Sequence, residues 1–427
     1  MNQEPSSTTD LSRPHICIVG LGFVGLPLAI EFWRSGCSVT GVDVDARKID
    51  LLQRGVSYLV DVPAALAAEL AASNRFSCST KFDGMERADA ILICVPTPLN
   101  EADEPDLSFV LGAAREISQH LQPGQVIVLE SSTFPGTTAD YVVPILEQSA
   151  WKAGKDFYVA YSPERINPGE TIPLSKIPKV VGADDENSLR HAIGIYQQVF
   201  QTVVPVSSTR VAELTKLLEN TQRFINISMM NELVVACEKW GISLWEAIEA
   251  AATKPYGFTP YHPGPGIGGH CIPIDPLYLQ WFARTRGESL SFIAVAEEVN
   301  KSMPPYISDR IQGLLPNPQG KALLIGLTYK RDVNDMRESP AIPVMEHLLE
   351  RGVTVTYHDP FIDHITVLGR PLQSVPLTEA SVKNADVVVI LTDHSSVDYD
   401  LVLEHAASIL DTRHVYKGVT NPNVTAL

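Results

Sequence analysis

HICIVGLGFVG (residues 15–25) is the stretch on which the fold turns. The apolar run His15 to Val19 stops at Gly20, the pattern of a buried parallel strand. Gly22 and Gly25 then lead into helical spacing over residues 24–35. Each glycine has its own task. Gly20 permits the tight turn, Gly22 lets the backbone approach a pyrophosphate, and Gly25 lets helix and strand pack closely. The N-terminus of that helix faces the anion. VTGVD (39–43) is the next strand, and it ends in Asp43, eighteen positions after Gly25. A carboxylate there accepts from a ribose 2′-hydroxyl, which selects NAD over NADP.

Outward from this unit the same alternation continues. Apolar runs at 89–95, 125–130, 157–161 and 202–206 are separated by helical spacing. Strands alternating with helices predict βαβ units and a mostly parallel sheet. The 31 residues from Arg210 to Trp240 contain no Pro or Gly and predict one long helix, with a second from Ser243. A further α/β unit opens at KALLIGL (321–327), and its helix begins near Ser339-Pro340, read as N-cap and N1. Its strands are VTVTYHD (353–359) and ADVVVILTD (385–393). ADVVVI (385–390) echoes ADAILI (88–93), which favours two related units. The predicted architecture is two Rossmann-like doubly wound α/β domains joined by a long central helix.

Composition bounds the partners. The 427 residues suggest about three units at ~150 residues each. With 45% hydrophobic residues the chain can build real cores. A formal charge of −17 repels nucleic acid and anionic lipid, so neither is an expected partner. An anionic small molecule needs a local basic pocket, and Lys330, Arg331 and Arg337 supply a candidate. No run of eighteen apolar residues predicts a membrane span. The six cysteines form no CxxC pair, and with no signal-peptide pattern this predicts free thiols in a reducing cytoplasm.

The densest chemical constellation is PYHPGPGIGGHCIPIDP (260–276). Gly264, Gly266, Gly268 and Gly269 imply tight turns or close backbone approach to a ligand. Cys271 follows them in a polar loop, whereas Cys17 and Cys94 sit in apolar strands. It is the thiol placed as a nucleophile. His262, His270 and Cys271 lack the usual zinc spacing, so no metal is expected. On the long helix Lys216 and Asn220 share one face, able to donate to a developing oxyanion, while Glu213 and Glu219 read as solvated or paired. Thr133 and Glu164 lie in loops that follow strands.

GLGFVGLPLA (20–29), CVPTP (94–98), SSTFPGT (131–137), SPERINPG (162–169), the Lys216–Asn220 helix, GPGIGGHCIPIDP (264–276) and YKRDVNDMRES (329–339) follow in one order. Together they closely resemble the nucleotide-sugar dehydrogenases of the UDP-glucose/GDP-mannose dehydrogenase family, over about residues 15 to 420. The resemblance implies a flexible tail (1–14), an NAD-binding domain (15–207), a central helical dimerisation region with the catalytic loop (208–312) and a UDP-sugar-binding domain (313–427). It implies oxidation of a sugar CH₂OH to a carboxylate with two NAD per turnover, in a homodimer or higher homo-oligomer that feeds polysaccharide biosynthesis. Cys271 would form a thiohemiacetal and then a thioester, and Lys216 and Asn220 would stabilise the oxyanion. Asp275 and Thr133 would position water and relay protons, and Glu164 would assist hydrolysis. The implied cofactor set is Gly20, Gly22, Phe23, Val24, Gly25, Asp43, Lys48, Pro96, Thr97, Thr133 and Arg337. The implied substrate set is Glu164, Arg165, Lys216, Asn220, Tyr261, Gly268 and Lys330.

Two positions depart from the UDP-glucose members: Pro168 replaces a second Glu, and Ile274 replaces a Lys. With TKPYGFTPY (253–261) they make the chain most similar to the UDP-N-acetylglucosamine 6-dehydrogenase branch. UDP-N-acetylmannosamine, UDP-N-acetylgalactosamine and UDP-glucose stay as alternatives. A two-electron dehydrogenase would need neither Cys271 nor the second α/β unit. A silent NAD-responsive binding protein would not need the set Lys216, Asn220, Cys271 and Asp275.

Overall fold

Mostly parallel pairing of short apolar strands builds the two larger sheets among the described residues. The computed structural model describes residues 13–59, 62–82, 84–100, 102–165 and 172–427. The expected tail, up to residue 12, and Pro168 lie outside the described residues. The chain divides into two compact units, Met1–Leu217 and Leu218–Leu427, the boundary falling inside the helix Thr209–Trp240.

In the first unit eight strands form one sheet. They are β1 (His15–Val19), β2 (Ser38–Val42), β3 (Phe76–Ser79), β4 (Ala90–Ile93), β5 (Val126–Leu129), β6 (Tyr158–Tyr161), β7 (Lys179–Gly182) and β8 (Val203–Val206). Their order is β3-β2-β1-β4-β5-β6-β7-β8, parallel except where β6 meets β7. The first six follow the doubly wound order in which a ligand crevice opens between β1 and β4. β4 and β5 are buried at every position, as strands covered on both faces must be. The helix Gly25–Arg34 turns Leu26, Leu28, Ala29, Ile30 and Phe32 onto the sheet. β3 and β7 go beyond the strands expected from sequence. FSCS is too polar, and KVVG too short beside Pro178, to register as apolar runs.

The second unit carries β9 (Lys321–Ile325), β10 (Thr354–His358), the hairpin β11 (His364–Val367) and β12 (Arg370–Gln373), then β13 (Val387–Ile390), β14 (Ile409–Asp411) and β15 (Val424–Ala426). The parallel order β10-β9-β13-β14-β15 puts its crevice between β9 and β13.

The two units repeat one construction. Gly20 (φ +95°) and Gly326 (φ +82°) end β1 and β9, and a Cβ on either would strike a carbonyl oxygen, at 2.5 Å from Cys94 or 2.3 Å from Thr392. The amide after each glycine donates to the aspartate beyond the next strand, Leu21 to Asp43 at 2.9 Å and Leu327 to Asp359 at 2.6 Å. The copies then diverge. In the first the helix starts at Gly25. In the second it waits until Ala341, after the segment that carries Lys330 and Arg337. Pro340 occupies the N-cap there instead of N1, so the helix starts one residue later than expected, and the Ser339 hydroxyl accepts from Ala341 N at 3.3 Å.

The long helix spans 32 residues, Thr209–Trp240, as its sequence predicts, and Ser243 caps the next, Leu244–Ala252, by accepting from Glu246 N. Ala212 enters the core of the first unit. Met230, Val234 and Cys237 enter the core of the second, against Ile307 and Val344. Among the described residues no helix is long and apolar enough to cross a membrane.

Candidate functional site

The glycine-rich turn is built as its spacing demands. A Cβ at Gly25 would lie 1.8 Å from the Gly20 carbonyl oxygen, whereas one at Gly22 would meet nothing within 4 Å. The first glycine therefore closes the turn, the last packs helix on strand, and the middle one faces open space. Asp43 is buried, with Oδ2 accepting from Leu21 N and from Lys48 Nζ at 3.1 Å, and Oδ1 accepting from Asp45 N at 2.9 Å. One carboxylate thus fixes the turn and holds the nearest lysine, leaving lone pairs for a further donor. Phe23 is exposed and Val24 half-buried at the helix start, while Pro96 is exposed and Thr97 buried just beyond β4.

Thr133, Glu164 and Lys216 are brought into the core of the first unit. Thr133 is fully buried and donates to Thr137 Oγ1 at 2.5 Å. Lys216 Nζ donates to the Glu164 carbonyl oxygen at 2.6 Å and lies 3.6 Å from its carboxylate. Burial raises the Glu164 pKa above the usual carboxylate range, against the pull of Lys216 and Lys179. A buried carboxyl held beside a lysine is a candidate for proton transfer. Arg165 Nη1 donates to the Pro178 carbonyl at 2.9 Å.

Glu213 departs from the solvated or paired role its sequence suggests. It is fully buried and accepts from Gly136 N at 2.6 Å, Thr138 N at 2.8 Å and Thr138 Oγ1 at 2.7 Å. It clamps the start of a π-helical turn, Thr137–Val142, just after Thr133. Burial pushes it up to about 7 in spite of those three donors.

In the second unit the loop 264–275 is tied down at four points. Asn231 Oδ1 accepts from Gly264 N at 2.9 Å and Asn300 Oδ1 from Ile267 N at 2.7 Å. Gly269 N donates to the Arg337 carbonyl at 3.0 Å, and Asn220 Nδ2 to Asp275 Oδ2 at 2.6 Å. Ile267 packs against Phe224 and Ala296. Cys271 is half-buried, and the other five cysteines are buried. Its carbonyl accepts from Asp275 N at 2.9 Å, so the nucleophile candidate and the buried aspartate share one helical start, Asp275–Arg284.

The loop glycines answer to protein neighbours. A Cβ at Gly264 would come within 2.8 Å of Arg413, one at Gly266 within 2.9 Å of Pro340, and one at Gly268 or Gly269 within 2.8 Å of Tyr329. Gly266, Gly268 and Gly269 let the loop lie close against the segment after β9. Arg337 grips Asp335 with two nitrogens, Nη2 at 2.7 Å and Nε at 3.0 Å. Lys330 is half-buried in that segment, and Tyr261 donates to Gln222 Oε1 at 2.8 Å. A cavity of about 330 Å³ opens beyond β13 and β14, lined by Arg331, which pairs with Asp393 at 3.2 Å, and by Ser395, Tyr399, Arg413 and His414. Ligands of open α/β sheets enter at that end of the strands. Among the described residues no cluster of His, Cys, Asp and Glu could hold a metal ion.

Three family models match in order: the NAD binding domain over 14–200, the central domain over 210–302 and the UDP binding domain over 323–418, all of the UDP-glucose/GDP-mannose dehydrogenase family. The chain belongs to that family. It is 35% identical over 388 residues to a UDP-N-acetyl-D-mannosamine dehydrogenase of Methanococcus vannielii, covering 89% of this chain and 86% of that one. It is 33% identical over 355 residues to a UDP-N-acetyl-D-glucosamine 6-dehydrogenase of Pseudomonas aeruginosa, covering 81% and 83%. The structure of a UDP-D-ManNAc dehydrogenase from Pyrococcus horikoshii superposes with a TM-score of 0.87 at 30% identity, covering 96% and 98%.

This dehydrogenase is an NAD-dependent oxidoreductase acting on CH–OH. The open space at Gly22 beside the closed contacts of Gly20 and Gly25 fits a pyrophosphate backed by a helix N-terminus. Asn231, Asn300 and Arg413 escape motif reading. Asn231 had a readable signal: it stands eleven residues after Asn220, three helical turns along the same face.

Proposed function

We propose that this dehydrogenase oxidises the C6 hydroxymethyl of a UDP-N-acetylhexosamine to the uronic acid through a thioester on Cys271. The observation that carries the reading is the half-exposed Cys271 on a loop held at both ends by asparagines of the long helix. When bound, NAD supplies the two-electron acceptor at each oxidation. Cys271 sulfur adds to the C6 aldehyde left by the first oxidation, and the new alkoxide is held by Lys216 and Asn220. Asn220 can donate to that oxygen with the amide hydrogen it does not give Asp275. Loss of a second electron pair from C6 leaves the thioester. Water then attacks, Glu164 takes its proton, the C–S bond breaks and the thiol is restored. Asp275 and Thr133 relay the remaining protons. The covalent step keeps the aldehyde from hydrating or escaping between the oxidations. We assign 15–207 to the cofactor, 208–312 to dimerisation and the catalytic loop, and 313–427 to the nucleotide sugar. Lys330 and the cavity at Arg331 and Arg413 receive the diphosphate, with Tyr261, Gly268 and Arg165 on the sugar side.

The acetamido preference rests on Ile274, which leaves no lysine beside Asp275, and on the relatives named above. UDP-N-acetylglucosamine is the sugar the motifs favour, and the relatives lean to UDP-N-acetylmannosamine. Initial rates on both, with UDP-N-acetylgalactosamine and UDP-glucose, decide the point. One acetamido sugar should exceed UDP-glucose by about tenfold or more in kcat/KM, roughly 1.4 kcal/mol of discrimination. UDP-glucose as the best substrate would sink the reading.

The same reading makes the enzyme a homodimer or higher homo-oligomer in a reducing cytoplasm. Leu218 and Met229, three turns apart on the long helix, are exposed, as are Phe292 and Val295 on the helix Ser291–Leu314. We assign these four side chains to the subunit contact. Sedimentation should return the mass of two chains or a multiple, and Leu218→Glu with Met229→Glu should lower it. A monomeric wild type would refute the assignment.

A further inference from the structure

Lys179, on β7, enters no step described so far, yet it is buried among charges. Its Nζ pairs with Glu130 Oε2 at 2.5 Å, donates to the Pro163 carbonyl at 3.2 Å, and lies over the rings of Tyr196 and Phe200 at 5.1 and 5.5 Å. Glu130 is almost fully buried, and its second oxygen accepts from the Tyr196 hydroxyl. Pro163 precedes Glu164, so two lysines hold consecutive carbonyls of this turn, Lys179 at Pro163 and Lys216 at Glu164. Between Glu130, Glu164, Arg165 and Lys179 lies a cavity of about 10 Å³, the space of one water. Glu130, Lys179 and Glu164 are themselves buried, which leaves their charges weakly screened.

We propose that Lys179 and Glu130 form a positioning pair for Glu164, the lysine fixing its turn and the two charges opposing each other in setting its ionisation. The proposal rests on the reading of Glu164 as the group that takes the proton of water. The groups facing Glu164 are Lys216 from the long helix, Lys179 from β7, Glu130 beyond β5, the Cys94 thiol beyond β4 and its neighbour Arg165. Burial raises Glu164, Lys216 and Lys179 lower it, and Glu130 raises it. The sign of each substitution follows. Removing Lys179 stabilises the protonated acid, and removing Glu130 stabilises the carboxylate.

The test is the pH dependence of kcat in the full-length enzyme at saturating NAD and UDP-sugar, with thermal melts for each variant. Glu164→Gln should abolish the acidic limb. Lys179→Met should move that limb to higher pH, Glu130→Gln should move it to lower pH, and Lys179→Arg should leave it in place. Lys179→Met strands a buried carboxylate and is the variant prone to unfold. In that event Glu130→Gln and Lys179→Arg carry the test. A merely structural role moves both limbs together or neither, and that outcome overturns the proposal. An acidic limb that survives in Glu164→Gln overturns the reading of Glu164 and the proposal with it. A limb lost in Glu164→Gln but unmoved by Glu130→Gln overturns the proposal alone.

Discussion

Cys271→Ala should fold, bind NAD and lose the overall oxidation by about three orders of magnitude or more, the usual scale for deleting a nucleophile. Folding survives because Cys271 is half-buried on a loop whose four tethers use other atoms: backbone amides at Gly264, Ile267 and Gly269, and the side chains of Asn220 and Asp275. Replacing a side chain outside the core changes stability by roughly 0.5 kcal/mol or less. Melting curves with and without NAD check this half. The chemical half is read from stoichiometry. Wild type should form two NADH per UDP-sugar consumed. Any residual turnover in Cys271→Ala should stop at one, because the aldehyde then has no sulfur to hold it. Two NADH per sugar in the variant would exclude the thioester, and one in the wild type would exclude the four-electron oxidation.

How much of this was legible before the structure depends on the physics of each feature. HICIVGLGFVG and Asp43 could be read because strand, turn and helix each leave a local signature and because glycine answers to φ and to space. For the loop glycines the same logic gives tight turns or close approach, and Gly266 and Gly269 do sit at positive φ. Gly264, Gly268 and Gly269 do mark close approach, but the approaching groups are Arg413 and Tyr329, far along the chain. Glu213 looked like a surface charge because helical spacing gives a face and not its environment. Only the fold brings Gly136 and Thr138 to it. Lys179 and Glu130 lie 49 positions apart, one on β7 and the other just beyond β5, strands that are not adjacent in the sheet. Local signatures recover the glycine cradle and single out the loop that carries Cys271. Long-range pairs of buried charges leave no local signature.

Gly22 and Gly25 stand three residues apart in one motif, yet their alanine variants should fail in different ways. At Gly25 the new Cβ would sit 1.8 Å from the Gly20 carbonyl oxygen and 3.1 Å from Ile18 Cγ2, against backbone and core together. Neither can retreat without opening the turn or parting the helix Gly25–Arg34 from β1. The strain is of the overpacking kind, roughly 1–3 kcal/mol or more. Gly25→Ala should therefore lower the melting temperature by several degrees and weaken NAD binding as a consequence. At Gly22 the Cβ meets nothing within 4 Å, and the residue is not in the left-handed region. An alanine there is tolerated, and the stiffer unfolded chain adds about 0.4–1 kcal/mol of stability. The methyl group nevertheless occupies the space through which a pyrophosphate reaches the backbone amides. NAD affinity should fall by about tenfold or more, which is about 1.4 kcal/mol, while the apo protein melts at or above the wild-type temperature. Calorimetric melting and NAD titration of the two variants separate the effects. Wild-type NAD affinity in Gly22→Ala would remove the cofactor from this turn, and a wild-type melt in Gly25→Ala would mean that the close packing of helix on strand is not what the glycine supplies.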